Sequence, residues 1–160
     1  MPKNTKYKFI KGDLYKLREI FPTKSFDITF SLQTITWLPG YEDAITEMMG
    51  VTKKWIFITS LFSVFNTDVF SNVFEYTDNC TVKEDSPYNY NVYSLGKFTN
   101  FCISHGAKEV IVEDFIIDID LPVPGNKAMS TYTIKSSDGI RLQFSGAMFM
   151  PWKMIAIRLD

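Results

Sequence analysis

FDITFSL at residues 26–32 and WIFITSLF at residues 55–62 decide the fold of this chain. Both runs are rich in β-branched and aromatic residues and are bounded by turn residues, which predicts two buried strands. Between them, residues 41–49 form a predicted helix with acidic groups in its first turn, and Gly50 fits its C-terminal stop. A strand, a helix and a strand in this order predict a βαβ unit whose strands are parallel.

Two shorter elements precede this unit. Residues 7–11 read YKFIK and fit a short strand that stops at Gly12-Asp13. After it, Leu14, Leu17 and Ile20 recur three residues apart, which predicts a short helical segment over 14–20.

Four elements are predicted after residue 93. Asp138-Gly139 between two alternating runs is a strong hairpin signal, and Pro151 indicates an edge position or a bulge in the last strand. Segments 63–93 and 121–146 are long connections, which we expect to be insertions that cover a substrate. The four elements are a helix between Ser94 as N-cap and Gly106, a strand over 109–120, a hairpin with strands at 131–135 and 141–144, and a strand over 146–158.

Composition narrows the class of protein. The 160 residues carry 17 basic and 18 acidic side chains, so there is no electrostatic footprint for DNA or RNA. No apolar run approaches the roughly 20 residues that span a bilayer, and Met1–Lys6 lacks the apolar core of a signal peptide. Cys80, Cys102 and the single His105 do not have metal-ligand spacing. We expect one soluble, cytoplasmic domain over 1–160 with free thiols and no metal, membrane or nucleic-acid partner.

Two motifs in order narrow the fold further. FIKGDL at residues 9–14 and SFDITFSLQTITWL at residues 25–38 resemble class I, Rossmann-like methyltransferases that depend on S-adenosylmethionine. In that family, a strand ends in Gly-Asp-apolar and is followed by a Ser-Phe-Asp-apolar strand and a Trp-Leu turn. The resemblance covers about residues 7–120 and, more loosely, 147–158. It implies an α/β fold: a partial Rossmann-like sheet of parallel strands with a final antiparallel strand, to which this chain adds a β-hairpin.

The resemblance implies S-adenosylmethionine as cofactor and assigns residues to it. The residue matching Asp13 accepts a hydrogen bond from the adenine amino group, and the one matching Leu14 flanks the adenine ring. Ser31, Leu32 and Gln33 follow at the carboxyl end of the next strand, where open α/β sheets bind ligands. The alternatives are that Asp13 only caps the next helical turn, and that Ser31 and Gln33 serve packing and strand-end hydrogen bonds.

The acceptor side is less defined by the sequence. Trp37, Tyr76, Tyr88 and Tyr90 are candidates to line an acceptor pocket, with packing and loop positions as the alternatives. The spacing of Asp114, Asp118 and Asp120 is typical of a solvated strand face rather than of a metal site. No catalytic residue is assigned, because methyl transfer chiefly requires that donor and acceptor be held in line.

Two functions remain open at this stage. The family's glycine-rich turn and the acid that binds the ribose are not found before Tyr7, so we expect a C-terminal fragment of the fold. The first function is methyl transfer to a small-molecule acceptor, as part of a larger or completed enzyme. The second is a non-catalytic module in a homo- or hetero-oligomer that covers the open sheet edge. The chain alone is expected to bind S-adenosylmethionine weakly or not at all.

Overall fold

The main sheet has the strand order β1-β2-β10-β6, with β5 beside the end of β2. β1 and β2 are parallel, whereas β10 is antiparallel to both β2 and β6. The predicted mixed α/β sheet is therefore confirmed. The computed structural model describes residues 7–125 and 129–160. The strands are β1 (Phe26–Leu32), β2 (Thr52–Ser63), β5 (Tyr93–Ser94), β6 (Glu109–Asp114) and β10 (Trp152–Arg158).

The helices pack on one face of this sheet. Their apolar side chains share one buried cluster with Ile56 and Ile58 of the central strand. Within it, the ring of Phe98 lies 5.0 Å from that of Tyr41 and 4.7 Å from that of Phe62, centroid to centroid. The helices are α1 (Leu17–Ile20), α2 (Glu42–Val51) and α3 (Leu95–Ser104), with 3-10 turns at Leu14–Lys16 and Ile35–Trp37.

The opposite face of the sheet is open among the described residues. Phe30 pairs in register with Phe57, and Leu32 with Thr59, so these side chains share that face. Phe30 is 65% exposed and Leu32 is 62% exposed. The predicted strand over 26–32 is therefore confirmed, but the prediction that it is buried was wrong. β1 lies at the end of the sheet and helices cover only its other face, so its apolar side chains remain in solvent.

Two small sheets flank the main one. The predicted hairpin is confirmed, and Gly139 in its turn has a φ of +86°, which glycine adopts without strain. Residues 126–128 of the predicted cover segment 121–146, and the Met1–Lys6 stretch, lie outside the described residues. The strands are β3 (Asn72–Val73) with β4 (Tyr88–Asn89), and β7 (Thr131–Lys135) with β8 (Arg141–Ser145) and β9 (Met148–Phe149).

Two predicted strands differ from the structure because strands need partners. Residues 7–11 form no strand, and Phe9 is 97% exposed. The strand predicted over 109–120 ends at Asp114, which pairs with Lys153 next to the start of β10. The Phe115 N–H still donates to the Trp152 carbonyl oxygen at 3.2 Å, but β10 begins at Trp152 and offers no backbone to residues 116–120, so the hydrogen-bond ladder stops there.

The last strand and the end of α2 also differ. Pro151 neither lies in an edge strand nor forms a bulge; it separates β9 from β10, and β10 lies between β2 and β6. The Pro151 carbonyl accepts from the Phe62 N–H at 3.0 Å.

Gly50 does not stop α2, which continues to Val51. A Cβ at Gly50 would lie 2.6 Å from Arg18 Cδ, so the close approach of Arg18 explains the glycine.

The boundaries of α3 follow the prediction. The Ser94 hydroxyl accepts from the Lys97 N–H at 3.3 Å, and Gly106, with a φ of +104°, follows the last turn. Within residues 7–125 and 129–160, no helix combines the length and apolar character that a bilayer crossing requires.

Candidate functional site

Three neighbouring cavities lie along one edge of the main sheet, where β1 and β2 end and β10 begins. The first, of about 290 Å³, lies beside β1, and the middle one, of about 370 Å³, follows at the strand ends. The third and largest has a volume of about 480 Å³. Leu32 lines both the first and the middle cavity, and Phe115 and Trp152 line both the middle and the largest. The cavities thus form a continuous row at the edge where α/β sheets bind ligands.

The first cavity contains three of the five predicted cofactor residues. Leu14, Ser31 and Leu32 line it together with other apolar side chains and Gly12. A Cβ at Gly12 would lie 2.5 Å from Ile20 Cδ1, so a larger residue there would require the end of the Ile20 side chain to move. The Ser31 hydroxyl is buried and has no hydrogen-bond partner among the described residues. It is therefore a polar group that a ligand in the cavity would suit.

Asp13 stands at the start of the 3-10 turn beside this cavity. Its Oδ1 accepts a hydrogen bond from the Tyr15 N–H at 3.0 Å, which makes Asp13 the N-cap of that turn. Capping, one of the two predicted roles of Asp13, is thus confirmed. The adenine contact remains a prediction, and the exposed carboxylate is next to Leu14 in the chain.

Gln33 lies where β1 ends, in the wall of the middle cavity. Its φ is +58°, a left-handed conformation that is uncommon for residues other than glycine. Its backbone N–H donates to the Thr59 carbonyl oxygen at 2.9 Å, which ties the end of β1 to β2. Strained backbone of this kind concentrates at functional sites.

The largest cavity is mostly apolar. Its walls come from the ends of β2 and β6, the start of β10, and the small sheet of β8 and β9. Its charged residues are paired: Lys153 bonds to Asp114, and Arg141 donates to Asp120 at 2.7 Å. The guanidinium of Arg141 also holds the pKa of Asp120 below its usual value.

Three of the four predicted acceptor residues form one aromatic cluster. The ring of Trp37 lies 5.1 Å from that of Tyr88 and 5.0 Å from that of Tyr90. Tyr76 is 57% exposed and instead forms a β-bridge with Val82. The Tyr90 hydroxyl lies 3.2 Å from Met150 Sδ, and Met150 lines the largest cavity. The cluster therefore supports the wall of that cavity from behind.

A partly buried hydrogen bond to a carboxylate stabilises this cluster. The Tyr88 hydroxyl donates to Glu75 at 2.8 Å. Burial, and secondly this bond, raise the pKa of Tyr88 well above its ordinary value. Hydrogen bonds from Lys83 and Tyr88 lower the pKa of Glu75. Tyr88 therefore stays protonated and acts as a structural donor.

The sequence did not identify the aromatic residues that join the cavities. Phe115 follows the last residue of β6, and Trp152 is the first residue of β10. The sequence prediction placed Phe115 inside a strand, and an aromatic residue in a strand does not by itself indicate a ligand-binding position. A strand that ends at Asp114 would have put Phe115 at the ligand-binding edge. Among the described residues, no group of three His, Cys, Asp or Glu side chains is placed to hold a metal ion.

Comparison with known proteins connects this geometry to a family. The methyltransferase domain family matches residues 2–56, which include Gly12 to Leu14 and all of β1. A solved SAM-dependent methyltransferase from Methanosarcina mazei aligns with 99% of this chain and 72% of its own length, with a TM-score of 0.52 and 8% identity. The chain has the fold of a class I S-adenosylmethionine-dependent methyltransferase. The family match implies S-adenosylmethionine as the cofactor of this methyltransferase-like chain.

A second solved structure is that of a SAM-dependent methyltransferase from Thermotoga maritima, described as a possible histamine N-methyltransferase. It aligns with 94% of this methyltransferase-like chain, with a TM-score of 0.48 and 15% identity. The chain spans 63% of the length of that protein. No curated protein matches the sequence.

The residues of the first cavity fit the adenine end of S-adenosylmethionine. Leu14 and Leu32 supply apolar surface for a flat ring, and Asp13 beside them is an acceptor suited to an amino group. Ser31 adds a buried hydroxyl without a partner among the described residues. The apolar and polar side chains at this cavity are therefore compatible with the implied cofactor.

Proposed function

We propose that this chain takes part in S-adenosylmethionine-dependent methyl transfer to a small-molecule acceptor, as part of a larger or completed enzyme. The row of cavities at the carboxyl edge of the sheet carries this proposal. It offers a space of about 290 Å³ beside β1 for the adenine end of the cofactor and a separate apolar space beside β10. The middle cavity connects the two through residues that they share.

Seven of the predicted residues have a position in this scheme. Leu14 and Leu32 would hold the adenine ring between apolar surfaces, and Asp13 would accept from its amino group. Gln33 would face the part of the cofactor nearest the acceptor, because it lines the middle cavity. Trp37, Tyr88 and Tyr90 would act on the acceptor indirectly, by supporting the wall at Met150.

The chain's own contribution to the chemistry is positioning. When bound, S-adenosylmethionine supplies an electrophilic methyl group on a sulfonium sulfur. The described residues that line the middle cavity, which are Leu32, Gln33, Thr59, Phe115 and Trp152, carry no side chain that titrates near neutral pH. Their role would be to exclude water and to hold the acceptor in line with the methyl group.

Titration of the chain with S-adenosylhomocysteine tests the proposal. Ligand-observed NMR monitors this titration, because it also detects weak binding. The matched ligand is S-inosylhomocysteine, in which an oxygen replaces the adenine amino group. We expect the wild-type chain to prefer the adenine ligand by about tenfold, the value of one charge-assisted hydrogen bond. Asp13→Ala should remove the preference.

Asp13→Asn is the control for folding, because asparagine also caps helical turns well. This variant should keep the stability of the 3-10 turn and lose only part of the preference for adenine. If the folded chain binds neither ligand at millimolar concentration, this chain does not hold the cofactor. Equal binding of both ligands would contradict the role of Asp13 alone.

The second candidate function is a non-catalytic module that pairs with a partner, and the open sheet face favours it. Five apolar residues on that face are exposed to more than about a third, as the hydrophobic surfaces of interfaces are. They are Ile28, Phe30, Leu32, Ile111 and Met154. We infer a second copy of this chain as the partner, since the exposed apolar rows of this face could pack against the same rows of another copy in a two-fold interface.

The compartment is also inferred. Cys80 and Cys102 are both free thiols, and Cys102 is buried with its pKa raised to about 12 by that burial. Free thiols are typical of reducing compartments, which supports a cytoplasmic location.

A further inference from the structure

We propose that the largest cavity binds an uncharged, flat aromatic molecule, and that this molecule is the methyl acceptor. This inference rests on the proposed function and adds to it the chemical class of the substrate. The volume of about 480 Å³ lies within the range of small-molecule sites.

Aromatic side chains from four separate segments surround this space. Phe62 and Trp152 come from strands of the main sheet, Phe115 follows β6, and Phe149 comes from the small sheet. Phe115 and Phe149 are about half exposed, although each borders a concave surface. A flat apolar ligand would remove this surface from water and could stack against the rings, both of which favour binding.

The charges in the cavity wall are already neutralised. Lys153 is paired with Asp114, and Arg141 holds Asp120 through two hydrogen bonds, at 2.7 and 3.3 Å. The Lys153 and Arg141 side chains are 14% and 22% exposed, whereas their carboxylate partners are 64% and 74% exposed, so the covered charges of the wall are two cations that already have partners. A cationic ligand would meet like charge at these two side chains, and an anionic ligand would have to compete with their carboxylate partners, so the wall favours an uncharged ligand.

Uncharged polar groups remain to orient the ligand. Ser63 and Gln143 line the same cavity. A hydroxyl or carbonyl group on the ring could bond to either side chain, so the ligand need not be a pure hydrocarbon.

The position of the cavity makes its ligand an acceptor. Phe115 and Trp152 form a wall common to this cavity and to the middle one, which ends at Gln33. A ring that lies against Phe115 and Trp152 would therefore be next to the space assigned to the reactive end of the cofactor. In the transfer, a hydroxyl oxygen on the ring would form a bond to the methyl carbon as the carbon–sulfur bond breaks. S-adenosylhomocysteine would leave as a neutral thioether, and the hydroxyl proton would be released to water.

Three naphthalene derivatives test the substrate class: 2-naphthol, 2-naphthoate and 2-naphthylmethylammonium, which share a ring and differ in charge. Ligand-observed NMR on the full chain measures each Kd. We expect 2-naphthol to bind at least tenfold more tightly than either charged compound. Equal or tighter binding of a charged compound would overturn the proposal.

A matched pair of variants locates the site. Leu142 and Ile134 are register partners in the β7–β8 hairpin with similar exposure, but only Leu142 lines the cavity. Leu142→Asp should weaken 2-naphthol binding at least tenfold, and Ile134→Asp should not change it. If Leu142→Asp does not fold, Phe149→Leu replaces it with an expected loss of about threefold. Unchanged binding in the folded cavity variant would contradict the site.

Failure of this inference differs from failure of the proposed function. S-adenosylhomocysteine is titrated into the same samples. Binding of the cofactor analogue without binding of 2-naphthol would overturn only the acceptor class. Binding of 2-naphthol alone would overturn methyl transfer by this chain and support the cavity as a site for uncharged aromatic molecules.

Discussion

The backbone N–H of Gln33 donates to the carbonyl oxygen of Thr59 across 2.9 Å, while Gln33 holds a φ of +58°. This contact lies where β1 ends beside β2, and it holds Gln33 in the wall of the middle cavity. Because a β-branched residue strongly disfavours positive φ, Gln33→Val should destabilise the chain by about 1–2 kcal/mol. Gln33→Gly should keep or slightly raise stability, and urea unfolding measures both variants.

Lys24 provides the control for this prediction. It also has a positive φ, of +54°, and its N–H donates to the Gly50 carbonyl oxygen, before β1 rather than after it. Lys24→Gly and Gln33→Gly should have similar stability, but only Gln33→Gly should weaken binding of S-adenosylhomocysteine. Equal affinities of the two variants would show that Gln33 is a backbone feature without a cofactor role.

The aromatic core gives a prediction about stability alone. Phe98 is fully buried against Tyr41 and Phe62, so Phe98→Ala should cost about 3–5 kcal/mol by removing apolar contacts and leaving a cavity. Phe9→Ala removes the same side chain at a position that is 97% exposed, and it should change the free energy of unfolding by less than about 0.5 kcal/mol. A large loss in Phe9→Ala would mean that residues 7–11 are paired in solution.

The Arg18–Glu47 pair gives a prediction about pH. The Glu47 carboxylate accepts from the Arg18 N–H and from Arg18 Nε, each at 2.8 Å, and these bonds lower the pKa of Glu47. A carboxylate with a lowered folded-state pKa contributes stability above its unfolded-state value of about 4.5, and this contribution is lost as the pH falls through the folded-state value. Glu47→Gln should therefore cost about 1 kcal/mol at neutral pH, since Arg18 is half exposed.

The same variant should match the wild-type chain more closely in acid. Once Glu47 is protonated, it resembles glutamine in charge, so the difference in unfolding free energy should shrink as the pH falls below about 4.5. Urea unfolding at several pH values measures this. A constant difference over the whole range would mean that packing, rather than the ion pair, accounts for the cost.

Local signals in the sequence were sufficient for elements that depend on near neighbours. Ser94 and Gly106 bound α3 through contacts within one turn, and Asp138-Gly139 specifies its own hairpin. The burial of β1 and the end of β6 depend instead on which distant segment lies alongside. Asp114 ends its strand because the partner begins at Trp152, and no pattern near Asp114 encodes this.

The candidate site divides in the same way. Leu14, Ser31 and Leu32 were predicted by resemblance, and the structure brings them together around one cavity. The largest cavity was not predicted, because its walls come from segments that are far apart in the chain and that meet only when β10 inserts between β2 and β6. Phe115 and Phe149 have no local feature that marks them as lining residues.

The open face of the sheet gives the last prediction. Phe30 is 65% exposed, and its ring stacks on Phe57 with centroids 5.3 Å apart, so two rings from adjacent strands form a flat apolar surface. If a second copy covers this face, the wild-type chain should sediment as a dimer at micromolar concentration. Phe30→Glu should convert it to a monomer, because a charge would be buried without a partner in the interface.

Phe65→Glu is the matched control for this experiment. Phe65 is 73% exposed but lies at the largest cavity rather than on the open face, so the variant should remain a dimer while losing affinity for 2-naphthol. If the wild-type chain is monomeric and stable at every concentration, the proposal that a second copy covers this face is wrong. A dimer that binds no S-adenosylhomocysteine would favour the non-catalytic module over the enzyme, since the assembly would then be complete without the cofactor.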